Sequence, residues 1–234
     1  MVTPNLRPIP IDTEHIEGLA DAMAKWIAPE VWKSKTDLGE GKVLVKLGLH
    51  MRMAGTDKPG MVTAQVDVRG KRRGLHKDLM VIGGTWAPHN NKVHIKLASN
   101  APRIAHNVYG IFESVQEVLR EQILFVLLHE ATHASDPGKL SGTGSGRILR
   151  REGYGAYQRL PQEVRARTQE AVYYALRKAK SFGPMEPWMS PQWYFDVVIA
   201  FDEPAKILQR YLPENEYDKV LKTIYVALVE HGYM

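Results

Sequence analysis

Near the middle of the chain an unbroken apolar run, Ile123 to Leu128, ends abruptly in His129, Glu130, Ala131, Thr132 and His133. No other stretch restricts the possible folds as strongly. Such a run exceeds what one helix face needs, so a helix here must be covered on nearly every side. The segment from Val115 to Asp136 reads as that helix, with Ser114 and Glu117 in the Ser-x-x-Glu spacing that caps an N-terminus. Pro137 closes it, because the residue before a proline disfavours helical backbone. Polar side chains at the end of an interior helix need a purpose. A four-residue step returns His129 and His133 to about the same face, about 6 Å apart along the axis. Two imidazoles so placed can reach one metal ion, and zinc accepts His nitrogens at about 2.0–2.1 Å. Glu130 falls about 100° round from His129, beside the ion, where it can take a proton from a bound water.

The competing reading is a coincidence of core histidines satisfied by neighbours. Against it stand the uncharged, helix-compatible Ala131 and Thr132 and the apolar turn that precedes them. The chain has no cysteine, which removes thiolates and leaves His, Asp and Glu as available ligands.

His129-Glu130-Ala131-Thr132-His133 resembles the HExxH signature of the zincin metallopeptidases. The resemblance implies His129 and His133 as zinc ligands and Glu130 as the general base. It further implies hydrolysis of a peptide bond in a peptide or protein substrate by a zinc-activated water. The fold expected with it is α+β and zincin-like: a mostly antiparallel sheet lobe over the buried helix in residues 1–136, and a helical lobe in 137–234, with zinc in the cleft. Tyr154 and Tyr157 are the nearest sequence candidates for stabilising the oxyanion, although either can simply pack. Catalytic zinc usually has three protein ligands, and the third is assigned to Glu163, behind Pro161, on a separate helix. It resembles the downstream Glu of gluzincin-type members. Asp136 is the nearest rival, but it lies about 4.5 Å beyond His133 along the axis, which suits a cap or a partner of His133 better. Glu170 is held in reserve.

At 234 residues the chain suits one domain, or two small lobes sharing a cleft. No apolar run approaches a membrane span, and MVTPNLRPIPID lacks the charged-then-apolar layout of a secretory signal. The expected site of action is cytoplasmic, without a membrane partner. Lys plus Arg, 31 against 26 acidic residues, gives a mild +5. That excess alone is no nucleic-acid footprint. The basic run Arg69 to Lys77 carries glycines and no interleaved aromatics, and reads as a solvated loop.

The remaining elements follow from periodicity. Asp12 caps a helix through about Ile27, with Ile16, Leu19, Ala20, Met23 and Trp26 at helical spacing, ended by Pro29. Alternating residues give strands at Val43–Met53 and Val62–Val68, a hairpin. Leu79–Ile82 makes a third strand, GGTWAPHNN a loop, and Val93–Leu97 a fourth strand. By analogy with zincins, Val93–Leu97 is expected at the sheet edge, pairing with extended substrate. Ile104, Val108 and Ile111 suggest a short helix, and the glycines of 138–146 a mobile loop. Prolines at 161, 191 and 213 open C-terminal helices, whose aromatics, from Trp193 to Tyr225, are expected to pack together. Two other classes stay open: an inactive zinc-binding recognition module, and a basic nucleic-acid-associated protein in which HExxH is incidental.

Overall fold

The computed structural model describes Leu6 and residues 11–33, 48–53, 60–65, 80–87, 92–99, 112–135, 142–200 and 202–234. The described architecture is α+β and mostly helical. The chain divides into two compact units, Ile11–Ser135 and Asp136–Met234 together with Met1–Pro10.

In the first unit, Asp12 caps helix α1 (Thr13–Lys33), its Oδ1 accepting from the His15 amide at 3.0 Å. Expected to stop near Ile27, α1 runs six residues further, with Pro29 inside it. Proline costs a helix the bond its own N–H would make, but here only one turn follows, so little is lost. Ile16, Leu19, Ala20, Met23 and Ile27 are buried along one side of α1. That side packs on helix α2 (Phe112–Ser135). Because α2 begins at Phe112, Ser114 lies within its first turn, and the capping role assigned to it is corrected. Leu119, Ile123, Leu124, Leu127 and Leu128 are fully buried, while Phe125 and Val126 are partly covered.

The sheet of this unit has four strands: β1 (Gly48–Met53), β2 (Gly60–Gln65), β3 (Met80–Ala87) and β4 (Lys92–Ser99). Their order is β1-β2-β4-β3. The β1–β2 hairpin is antiparallel, with Leu49 opposite Ala64. β4 pairs antiparallel with β3, and parallel with β2, Val62 opposite Val93. Two expectations are corrected here. The third strand does not end at Ile82 but continues through Gly83, Gly84, Thr85 and Trp86. β4 is an interior strand with a neighbour on each side, and β3 takes the edge. A parallel pair needs a crossover connection, and the chain lays β3 outside β4 on the way. Val93 and Ile95 of β4 are buried, and β3 and β4 both lie against α2.

The second unit is helical: α3 (Gly142–Glu152), α4 (Tyr154–Gln158), α5 (Pro161–Phe182), α6 (Pro191–Ile199), α7 (Glu203–Tyr211) and α8 (Glu214–Glu230). Pro161, Pro191 and Pro204 sit in first turns, where their missing N–H costs nothing. Ser190 caps α6 by accepting from the Trp193 amide at 3.1 Å, and Asp202 caps α7 by accepting from Ala205 at 2.9 Å. The mobile loop expected at 138–146 is helical from Gly142 onward, its glycines outweighed by the RILRRE segment they lead into. Val164, Val172, Tyr194, Val198, Leu208, Val220, Ile224 and Leu228 form the core of this unit. The aromatic expectation holds for Tyr194 and Phe195, which are buried, but Trp193 and Tyr225 stay 45% and 41% exposed. The basic segment at 69–77, the helix expected around Ile104 and the residue Asp136 lie outside the described residues.

Candidate metal centre

The last turns of α2 place five polar side chains, His129, Glu130, Thr132, His133 and Ser135, at buried or nearly buried positions. His129 is 8% exposed, Glu130 6% and Thr132 fully covered, while His133 is partly covered. Thr132 satisfies itself: its Oγ1 donates to the Leu128 carbonyl at 2.8 Å. The imidazoles cannot be satisfied that way. Their Nε2 atoms converge to 3.0 Å, with rings nearly perpendicular at 86°. Two nitrogens on one tetrahedral zinc stand about 3.3 Å apart, given zinc–nitrogen bonds of about 2.0–2.1 Å. The observed convergence is within a few tenths of that value.

Glu163 lies in the first turn of α5 and is 3% exposed. His129, His133 and Glu163 each offer one ligand atom, and these atoms lie within 4.8 Å of one another. This buried group can hold a metal ion. Two imidazoles and one carboxylate are a donor set that suits zinc and leaves one position free.

α5 also carries a residue that sequence reasoning passed over. Arg167 stands one turn beyond Glu163, and its Nη1 bonds Glu170 Oε2 at 2.7 Å. Burial works against the guanidinium charge, yet the Glu170 carboxylate, its hydrogen bond, the Tyr154 phenol and Glu163 together hold the Arg167 pKa above its ordinary value. Glu170, the reserve ligand, is thus engaged by a cation and is fully buried. The signal was present in sequence, since Glu163, Arg167 and Glu170 follow one another at i+4 and i+3 on one helix face.

Tyr154 and Tyr157 share the short helix α4, their rings stacked at 6.3 Å. Tyr154 is 50% exposed and meets the Tyr211 ring edge-on at 5.7 Å. Tyr157 is more covered. Arg159 fixes the end of this helix, its Nε donating to the Tyr211 carbonyl at 2.8 Å.

A second buried carboxylate lies in the same unit. Asp202 is 4% exposed, and its Oδ2 has no hydrogen-bond partner. Burial pushes its pKa up to about 7, helped by the charges of Glu170 and Glu203 and opposed by the Ala205 amide and Lys206. Nothing in the sequence separated it from any other helix cap. Among the described residues no helix is long and apolar enough to cross a membrane. No protein-family model, curated protein or solved structure matches this chain.

Proposed function

We propose that the protein is a zinc-dependent peptide hydrolase of the zincin type, with His129, His133 and Glu163 as ligands and Glu130 as general base. The observation that carries this reading is the buried group of two imidazoles and one carboxylate with its ligand atoms within 4.8 Å. A second carboxylate, Glu130, is buried on the residue next to one ligand. A structural site needs no such extra carboxylate.

Bound zinc in such a site acidifies water to near pH 7 and polarises a carbonyl. The remaining work falls to the chain's own side chains. His129 and His133 orient the donor set from the end of α2, and Glu163 supplies the negative charge. Glu130 takes the proton from the attacking water and delivers it to the leaving amine, which requires its carboxylate ionised before the step. Tyr157, more covered than Tyr154, is the candidate donor to the developing oxyanion.

The test has two arms. Elemental analysis of purified protein should give one zinc per chain, and wild type should cleave fluorescein-labelled casein or an internally quenched peptide pool. Glu130→Gln should retain the zinc and lose at least about 10²-fold in kcat. Full zinc without Glu130-dependent cleavage makes the protein a recognition module. Absence of zinc, with nucleic-acid binding that falls steeply with salt, makes the motif incidental.

A further inference from the structure

Glycine weakens a strand interior, and where it persists another group often approaches closely. β3 carries Gly84 in mid-strand, opposite Ile95 of β4. A Cβ at Gly84 would collide with Val126 Cγ1 and stand 2.8 Å from Glu130 Cγ and 2.9 Å from Glu130 Oε1. Val126 and Glu130 are one turn apart on α2, so both present the same face to the strand. Their capacity to yield differs. Val126 is β-branched and holds essentially one χ1 well in a helix, so its methyl cannot turn aside. Glu130 has rotatable bonds beyond Cβ and is the side chain that would swing away.

We propose that Gly84 is the positioning residue of Glu130: the bare Cα of β3 is the surface on which the Glu130 side chain rests, and it keeps the carboxylate in one rotamer beside His129 and His133. The proposal builds on Glu130 as general base, but the placement itself is independent of catalysis. Any side chain at position 84 takes the space that Glu130 Cγ and Oε1 occupy.

The experiment compares Gly84→Ala and Gly84→Ala/Val126→Ala with wild type, all as the full zinc-loaded chain. Crystal structures, zinc content, and kcat and KM on fluorescein-labelled casein are measured for each. Expected are stoichiometric zinc, β3 still paired with β4, and Glu130 in a different rotamer. kcat should fall at least tenfold with KM within about twofold. Removing the Val126 methyl should not restore kcat, because the Glu130 contact remains. Should Gly84→Ala alone fail to fold, the double variant, freed of the shortest contact, carries the same readouts. An unchanged Glu130 rotamer, or full recovery of kcat by Val126→Ala, would overturn the proposal and reduce Gly84 to strand packing. If wild type cleaves nothing, the hydrolase reading fails, while the rotamer comparison still decides whether Gly84 positions Glu130.

Discussion

α2 and α5 both bury polar side chains, but they do so in opposite surroundings. On α2 they are gathered at one end of a helix whose other buried positions are apolar, from Leu119 to Leu128. On α5 they are spread along the helix: Glu163, Thr168, Gln169 and Glu170 are buried among Val164, Ala171 and Val172. Each helix answers one hydroxyl locally, Thr132 to Leu128 and Thr168 to Val164 at 2.7 Å. The difference lies in what happens to the charges. On α5 a carboxylate finds an internal cation, Arg167 on Glu170. On α2 the two imidazoles converge on each other, an arrangement that could hold a metal ion. α5 therefore carries both an internal ion pair, Arg167 with Glu170, and a carboxylate, Glu163, that could join the two imidazoles of α2 around a metal ion.

Four experiments sharpen or break that contrast, beginning with the largest effect. His129→Ala and His133→Ala should each abolish metal binding and casein cleavage. They should also lower the melting temperature, because an ion that binds only the folded state stabilises it. A wild-type melting curve indifferent to a strong chelator, with no metal detected, would contradict this.

Within α5, Glu163→Gln and Glu170→Gln should separate. The first should weaken zinc binding by at least about 100-fold, matching the upper range for losing even a group behind a ligand. The second should keep zinc but cost about 1–3 kcal/mol in chemical denaturation, since it removes the carboxylate paired with the partly buried Arg167 charge. Equal loss of zinc in both would erase the division between ligand and ion pair.

Asp202 gives a pH-dependent signature confined to the helical unit. Its folded pKa of about 7 lies above the ordinary 3.8, so the native state binds a proton that the unfolded state has released. The associated stability is fully present below about pH 4 and is lost as pH rises through 7. At about 1.4 kcal/mol per unit the change amounts to a few kcal/mol. Asp202→Asn keeps an oxygen for the Ala205 amide and should flatten stability against pH between 4 and 7. A slope unchanged from wild type would assign the titration elsewhere.

The smallest effects are expected on α4. Tyr157→Phe should lower kcat about tenfold if its hydroxyl serves the oxyanion. Tyr154→Phe should stay within about twofold, because the stacking on Tyr157 and Tyr211 survives without the hydroxyl. Reversed magnitudes would exchange the two roles.

How far the sequence disclosed these features follows from the same contrast. His129, Glu130 and His133 stood out because polar residues interrupt an apolar run at a spacing that one helix face brings together. Three of the C-terminal helices were readable from Pro161, Pro191 and Pro213 at or beside their first turns, whereas the Glu203–Tyr211 helix and the Gly142–Glu152 helix were not. Glu163 was picked for its distance from the motif and its separate helix. Its burial was invisible, since α5 has the charged, mixed composition of a solvated helix. Arg167 was passed over on the same helix despite its spacing from Glu163 and Glu170, and Asp202 because it reads as an ordinary helix cap. The strand errors have another origin. Gly83 and Gly84 look like a loop when read locally, and only α2 lying across β3 explains a glycine inside a strand. Strand order is likewise a long-range property, so alternation located β4 but could not reveal that β2 and β3 flank it.

That strand order bears on how the chain reaches its native state. β1 with β2, and β3 with β4, are antiparallel neighbours in sequence, so each pair closes a short loop. The seam from Met61–Gln65 to Lys92–Lys96 is parallel and joins the two hairpins across everything between them. Local pairings form before distant ones repay their loop-closure entropy. The two hairpins are thus expected to precede the seam, with α2, which lies against β3 and β4, arriving from the C-terminal side. Contacts made before the rate-limiting step slow refolding when weakened, so substitutions at Leu49 should slow refolding, whereas equally destabilising ones that act on the Val62–Val93 seam should mainly speed unfolding. In such an order, Glu130 meets Gly84 only after the second hairpin has docked on α2.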